Sequence, residues 1–142
     1  MKILFLDIDG VVNCETTSQR HRGFIGIDPY MAFLVGRIVQ QTDAKVVLSS
    51  SWRNFEDGVE EVERQVVPIM EVTPNGKSRG EEIQAWLDNQ AIKSNFVVEK
   101  YAILDDDRNM LESQLPNFFN TSWLTGLTEE IADKVIAHLN GA

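Results

Sequence analysis

The sequence predicts an α/β domain built on a mainly parallel sheet. Three short, almost wholly apolar runs alternate along the chain with segments whose apolar residues recur at helical spacing. Continuous apolar strands are typical of parallel sheets that helices cover on both faces. Each of the three runs ends abruptly in carboxylates or hydroxyls. Ligands of such sheets bind beyond the carboxyl ends of the strands, so these polar groups mark the expected site.

The first half of the chain supplies two of these strands and a helix between them. Residues 2–6 and 45–48 are the apolar runs. Residues 13–27 show no clear period and predict a loop. The helix is expected to begin after Asp28, because aspartate is a good N-cap and proline, which follows it, a good first helical residue. The expected buried stripe, apolar apart from one arginine, is Tyr30, Phe33, Leu34, Arg37 and Ile38.

The second half supplies the third strand and three further helices. A helix is expected over residues 59–67, before Pro68, and another over "RGEEIQAWLDNQ". The third buried strand covers residues 101–104, and a short strand is expected near "NFFNT". A last helix is predicted to begin after Thr128. The helical stripes expected to be buried are Ile83, Trp86, Leu87 and Gln90, and then Ile131, Val135 and Leu139.

Length and composition fit one globular domain over residues 1–142. The chain has 142 residues, of which 43% are hydrophobic, too many for a disordered chain. No apolar run reaches the ~18 residues of a membrane span, and Met1 leads into a strand with no signal-peptide pattern. Cys14 is the only cysteine, so no intramolecular disulfide can form. We therefore expect a cytoplasmic protein without membrane association.

The chain is acidic, with a net charge of −9. Such a surface generally repels nucleic acid backbones, although Arg20, His21 and Arg22 form a small basic cluster. Part of the negative charge is expected in a metal site, where a cation would offset it. The sequence gives no sign of an obligate protein partner.

Three polar clusters follow the three predicted strands. Asp7 and Asp9 stand one residue apart after the first strand, Ser49 to Ser51 follow the second, and Asp105 to Asp107 follow the third. Two carboxylates that close repel each other, and burial adds a desolvation cost. A divalent cation is the usual compensation. Because parallel strands share their carboxyl edge, the three clusters are expected to converge on one crevice.

Together these groups predict a phosphoryl-transfer site. A carboxylate can attack phosphorus and form an aspartyl-phosphate if a hard cation such as Mg²⁺ neutralises the approaching negative charges. Hydroxyl and cationic donors must hold the phosphoryl oxygens through the transition state. A second carboxylate can protonate the leaving oxygen and later activate the water that releases the enzyme.

Each part of this chemistry has candidates in the sequence. The expected catalytic pair is Asp7, as the nucleophile, and Asp9, as the general acid and base. The candidates for binding the phosphate are Ser49, with Ser50 as a rival, and Lys77 or Arg79. The candidate ligands of Mg²⁺ are Asp7, Asp9, Asp105 and Asp106. Ser51 is expected to cap a helix, Trp52 to pack, and Arg53 to lie either at the surface or at the substrate.

The chain resembles the haloacid dehalogenase (HAD) superfamily. "DIDGV" is similar to its first motif, Asp-x-Asp-Gly-[Thr/Val], "VVLSS" to its second and "YAILDD" to its fourth. Lys77 and Arg79 stand where its third, basic motif belongs. The resemblance implies a Rossmann-like three-layer sandwich, a nucleophilic first aspartate and Mg²⁺ as the cofactor. The second aspartate, present in phosphatases and absent from dehalogenases, is Asp9 here and implies phosphate chemistry.

Further segments resemble small members of this superfamily that lack a cap domain. "SSSWR", "RGEEIQAWL" and "GLT" are similar to domains associated with RNA repair, and "KSRGEEIQAW" to the phosphatase half of polynucleotide kinase-phosphatases. Only 41 residues separate Asp7 from Ser49, too few for a large cap domain. Residues 13–27 are the one plausible flap. An open site admits a phosphorylated small molecule, a nucleic acid end or a phosphoprotein.

Three other classes of protein share parts of this pattern. "CETTSQR", from Cys14 to Arg20, has the Cys-x5-Arg spacing of cysteine-dependent phosphatases, but it lacks the glycine of their tight phosphate cradle. Receiver domains combine acidic residues, a hydroxyl and a lysine on a similar sheet, but there the phosphorylated aspartate follows a middle strand. A binding protein with a retained metal and phosphate site would also carry these motifs.

Overall fold

The computed structural model describes residues 1–93 and 96–141, and its centre is a five-stranded parallel sheet. The strands are β1 (Lys2–Leu6), β2 (Arg20–His21), β3 (Phe24–Ile25), β4 (Lys45–Leu48), β5 (Glu71–Val72), β6 (Lys100–Asp105) and β7 (Phe118–Asn120). The helices are α1 (Pro29–Thr42), α2 (Gly58–Gln65), α3 (Arg79–Lys93) and α4 (Glu129–Leu139). The central sheet has the order β5-β4-β1-β6-β7, and β2 and β3 form a separate antiparallel hairpin.

Helices cover the central sheet on both faces. Successive residues of β1 point to opposite sides, as the pleat of a strand requires. Ile3 and Phe5 pack in one cluster with Ile83 and Trp86 of α3. The other side of β1 packs in a larger cluster with α1, α2 and α4. This is the predicted three-layer α/β sandwich with a parallel sheet and no large cap domain.

The path of the chain through the sheet reverses at β1. From β1 the chain moves outward through β4 to β5, and then crosses by way of α3 to β6 and β7 on the other side. The carboxyl end of β1 is therefore the topological switch point, where open α/β sheets bind their ligands. The residues that follow β1, β4 and β6 meet at this point.

The predicted buried stripe of α1 was correct for Leu34 and Ile38 and wrong for Tyr30 and Phe33. Tyr30 and Phe33 were expected to be buried, but they are 54% and 62% exposed. The buried face instead comprises Met31, Ala32, Leu34, Val35, Ile38 and Thr42. Apolar residues are so dense in this helix that two overlapping stripes fit the helical period, and only the neighbouring elements select between them. The predicted N-cap holds, since Asp28 accepts hydrogen bonds from two backbone amides of the first turn.

The segment predicted as a loop, residues 13–27, contains the hairpin of β2 and β3. Its two-residue turn has Arg22 and Gly23 both at positive φ, 52° and 85°. Positive φ at both central residues is the signature of a type I′ turn, whose twist matches that of the flanking strands. The strands span only two residues each, too short for an alternating pattern to reveal them. The short strand β5 escaped prediction for the same reason.

The start of α3 is fixed by close packing at Gly80. A Cβ atom here would lie 2.8 Å from the backbone nitrogen of Leu111 and 2.9 Å from Gln114 Oε1. The Gln114 side chain also donates a hydrogen bond of 2.8 Å to the Gly80 carbonyl. Any side chain at this position would push α3 away from residues 110–114, and Arg79 would move with it.

We expect Gly80→Ala to lower the free energy of unfolding by about 1–3 kcal/mol, the usual cost of overpacking. The matched control is Gly36→Ala. Gly36 is also helical, but nothing lies within 4 Å of its added Cβ, so alanine should raise the free energy of unfolding by about 0.5–1 kcal/mol. Urea denaturation of both variants measures these changes. A shift of the same sign in both would contradict the packing argument.

Candidate active site

Three carboxylates meet at the switch point. Asp7 directly follows β1 and is 5% exposed, and its backbone amide donates a hydrogen bond to the Leu104 carbonyl of β6. Asp105 ends β6 and is completely buried, and Asp106, the next residue, is partly buried. One carboxylate oxygen from each of the three lies within 4.8 Å of the others. These are hard oxygen ligands converging on one point, and they fit the preference of Mg²⁺ for a small set of carboxylates.

The burial of these carboxylates, together with their proximity, shifts their pKa values. Burial and the charge of Asp105 raise the pKa of Asp7 from 3.8 to about 8, although Arg79 acts in the opposite direction. Burial and the charge of Asp7 raise the pKa of Asp106 to about 6. Burial also raises the pKa of Asp105 against the effect of Arg79. The protein alone therefore leaves part of this negative charge uncompensated, as expected of a cation site.

Arg79 supplies the positive charge of the cluster. Its Nη1 lies 2.5 Å from Asp105 Oδ2 and 3.3 Å from Asp7 Oδ1. Burial alone would lower the pKa of Arg79, but the charges of Asp105 and Asp7 outweigh it and raise that pKa. Lys77 is exposed and makes no ion pair with any described residue. Of the two basic candidates that the sequence left open, only Arg79 contacts the carboxylates.

Asp9 lies outside the carboxylate cluster. Its Oδ1 accepts a hydrogen bond of 2.9 Å from Asn13 Nδ2, and Trp52 Nε1 lies 3.3 Å from both of its carboxylate oxygens. The structure thus brings together three of the four predicted metal ligands and turns the side chain of the fourth towards Asn13 and Trp52. Neither partner was predicted as a functional residue, although Trp52, 2% exposed, packs in the core as expected.

Gly10 allows the approach of Asp106. It has a φ of 84°, and a Cβ atom at this position would overlap Asp106 Oδ2. Its amide donates to Asn13 Oδ1 over 2.8 Å, and its carbonyl accepts from Thr121 Oγ1 over 2.6 Å. The glycine of "DIDGV" is therefore required both by its left-handed conformation and by the lack of a side chain.

The two candidate serines have different surroundings. Ser49 is completely buried, and its backbone amide donates to the Leu6 carbonyl, which places it beside Asp7. Its hydroxyl has no hydrogen-bond partner among the described residues, and an unsatisfied buried hydroxyl costs about 1–3 kcal/mol. Ser50 Oγ instead accepts a hydrogen bond from the Trp52 amide and caps the 3₁₀ turn Ser51–Asn54. Ser50, and not Ser51 as predicted, is therefore the cap.

Arg53 does not lie at the surface, so that expectation was wrong, and its place at the substrate stays a prediction. Its side chain is 4% exposed. It donates to the carbonyls of Ser49, Ser50 and Thr73, and its Nη2 lies 2.8 Å from Glu82 Oε2. Arg53 thus joins the ends of β4 and β5 to α3, a role that requires residues far apart in the chain.

The alternative cysteine site lacks the required geometry. Cys14 is 5% exposed and packs in the larger core cluster. The Arg20 guanidinium donates to the backbone carbonyls of Thr17 and Gln19, and the chain continues into the hairpin and not into a helix. Although burial raises the pKa of Cys14, hydrogen bonds with Thr16 and Thr17 lower it overall. A thiol packed in the core has no open space for a phosphate.

The fold and the site together define a HAD-type domain, a class with phosphatase-type hydrolase activity that generally uses Mg²⁺. Residues 3–132 match the family described as "HAD domain in Swiss Army Knife RNA repair proteins", and the chain belongs to this family. The predicted membership of the superfamily is confirmed. No curated protein and no solved structure matched the chain significantly. Within residues 1–93 and 96–141, every helix is too short or too polar to cross a membrane.

The raised pKa of Asp7 predicts that its carboxylate destabilises the metal-free fold above acidic pH. The folded state binds the Asp7 proton more tightly than the unfolded state does. The stabilisation that this proton contributes is therefore complete below about pH 4 and is lost as the pH rises to about 8. At about pH 8 in EDTA, Asp7→Asn should raise the free energy of unfolding by more than about 1 kcal/mol. The stability should also depend less on pH between these limits.

Urea denaturation at about pH 5 and about pH 8 measures this effect. The matched control is Asp88→Asn, the same change of charge on the exposed side of α3, which should shift the stability by less than about 0.5 kcal/mol. If Asp7→Asn destabilises the protein at the higher pH, the Asp7 carboxylate does not destabilise the metal-free fold.

Proposed function

We propose that this protein is a Mg²⁺-dependent phosphomonoesterase that acts through an aspartyl-phosphate on Asp7. One observation carries the proposal: Asp7 is buried at the switch point, within contact of Arg79 and beside two further carboxylates. In view of the family description, the proposed substrate is a nucleotide or a phosphorylated nucleic acid end. The absence of a large cap leaves room for either.

The phosphate would be held by Ser49 and Arg79. The Ser49 hydroxyl, buried and without a partner among the described residues, would donate to one phosphoryl oxygen. The Arg79 guanidinium, 3.3 Å from Asp7 Oδ1, would hold another. Asp7, Asp105 and Asp106 would bind Mg²⁺, which when bound neutralises negative charge and polarises the phosphoryl group. These donors stabilise the charge on the equatorial oxygens during transfer.

The reaction would proceed in two displacements at phosphorus. First, an Asp7 carboxylate oxygen attacks, the bond from phosphorus to the leaving oxygen breaks, and Asp9 gives that oxygen a proton. Asp9 then takes a proton from a water molecule, and the resulting hydroxide attacks the phosphorus of the phosphorylated Asp7. The bond from phosphorus to the Asp7 oxygen breaks and inorganic phosphate leaves, so that Asp7 is again a carboxylate and Asp9 again a carboxylic acid. The hydrogen bonds from Asn13 and Trp52 orient Asp9 for the two proton transfers.

Phosphate release from a substrate panel tests the proposal. The panel comprises a chromogenic aryl phosphate, nucleotides, and oligonucleotides with 3′- or 5′-phosphates, each with Mg²⁺ and with EDTA. We expect release that requires Mg²⁺ and falls at least about 10³-fold in Asp7→Asn, because the nucleophile is lost. Cys14→Ser should retain activity. Release that persists in EDTA and disappears in Cys14→Ser would support the cysteine mechanism, and a stable phosphorylated protein without turnover would support a receiver-like domain.

The basic partner of the phosphate is tested by two single substitutions. Arg79→Gln should lower kcat/KM by about 10²–10³-fold, the usual loss of one donor to the transition state. Lys77→Gln removes the same charge from an exposed position two residues away and should change kcat/KM by less than about threefold. Steady-state kinetics on the best substrate of the panel measures both. The opposite order would assign the phosphate contact to Lys77.

A further inference from the structure

We propose that the rings of Phe24 and Phe55, the aromatic platform, bind the nucleobase next to the phosphate that is removed. Phe24 belongs to β3 of the hairpin, and Phe55 follows the 3₁₀ turn after β4. The inference rests on the proposed phosphatase function. It adds the part of the substrate, besides the phosphate, that the protein would contact.

The two rings of the aromatic platform are nearly parallel and are exposed to solvent. Phe24 is 69% exposed and Phe55 is 42% exposed. Their centroids are 6.4 Å apart and their planes differ by 22°, which is a stacked arrangement. A ligand that contacts these exposed rings would displace few protein contacts and would remove one apolar ring face from water. Aromatic faces of this kind bind unstacked bases in single-stranded nucleic acids.

Trp52 contacts both the aromatic platform and Asp9, the proposed proton-transfer group. The ring of Trp52 lies 6.0 Å from that of Phe55, centroid to centroid. On its other side, Trp52 Nε1 lies 3.3 Å from both carboxylate oxygens of Asp9. Asp9 acts on the oxygen that links the phosphate to the rest of the substrate. The leaving group is therefore expected to extend past Trp52 towards the platform.

The hairpin that carries Phe24 is fixed in place by charge. Arg22 Nε lies 3.0 Å from Asp57 Oδ2, and His21 Nε2 lies 3.2 Å from Asp57 Oδ1. The His21 ring also stacks on Trp52 at a centroid distance of 5.3 Å. These contacts attach β2 and β3 to the segment before α2, so Phe24 and Phe55 are held together before a ligand arrives. Such preorganisation reduces the entropic cost of binding.

The space at the platform fits a single ring system. The cavity bordered by Phe24, Phe55, Trp52 and His21 has a volume of about 190 Å³, below the ~300–1,000 Å³ of sites that take drug-sized ligands. A peptide segment or a folded partner would need a longer groove. The net charge of −9 opposes a long phosphate backbone. Stacking of the base on the platform would attract the substrate without relying on charge. Because every base has a π-face, little preference among bases is expected.

The experiment compares a nucleotide with an aliphatic phosphate. The kcat/KM of the protein is measured with a nucleoside monophosphate, a phosphorylated dinucleotide and glycerol phosphate. Phe24→Leu and Phe55→Leu keep an apolar side chain but remove the π-face. In each variant, the ratio of kcat/KM for the nucleotide to that for glycerol phosphate should fall about tenfold, in line with the loss of a base stack. Phe33→Leu, an equally exposed ring on α1, should leave the ratio unchanged.

Binding separates failure of the platform from failure of the proposed function. In the Asp7→Asn background, the dissociation constant of the nucleoside monophosphate is measured by calorimetry, with and without Phe24→Leu. A rise of about tenfold supports the platform even if no substrate is hydrolysed. An unchanged dissociation constant overturns the platform, whether or not the protein is a phosphatase. A larger loss for the dinucleotide than for the mononucleotide would identify the substrate as a nucleic acid end.

Discussion

The repulsion among three carboxylates, of which Asp7 and Asp105 are buried, is offset by Arg79 and is the constraint on which the rest of the structure depends. Asp7 and Asp105 are brought together because β1 and β6 are neighbours at the switch point, and their charges would separate them without a cation. Arg79 reaches both because Gly80 allows the start of α3 to pack closely against residues 110–114. The stability of the fold and the electrostatics of the site are therefore set by the same few contacts.

Glu82 connects this site to the surrounding loops. Its two carboxylate oxygens lie 3.5 Å from Arg79 Nε and 2.8 Å from Arg53 Nη2. Arg53 in turn binds the carbonyls of Ser49 and Ser50. Two arginines and one glutamate thus link the Arg79 side chain to the backbone of Ser49 and Ser50. A change at Glu82 or Arg53 can therefore alter the positions of both Arg79 and Ser49.

The sequence was sufficient to locate the site but not to resolve its details. Asp7, Ser49 and Asp105 could be identified because each follows an apolar strand, and parallel strands end at one edge. The choice between Ser49 and Ser50 depends on which hydroxyl the 3₁₀ turn engages, which spacing does not reveal. Trp52 was missed as a partner of Asp9 because it comes 43 residues later in the chain. The hairpin was missed because its strands are too short to show a period.

The hydrogen bond from Thr121 to the Gly10 carbonyl joins positions 111 residues apart. It closes the "DIDGV" turn against the residue that follows the last strand of the sheet. Asp7 and Gly10 lie in the first turn after β1, yet the hydrogen bond that closes this turn needs a residue that comes only after β7. Contacts of such long sequence separation form late in folding, because the closure of the intervening chain must come first. A chain that ends before Thr121 consequently contains the three carboxylates of the site without the hydrogen bond that closes the turn between Asp7 and Asn13.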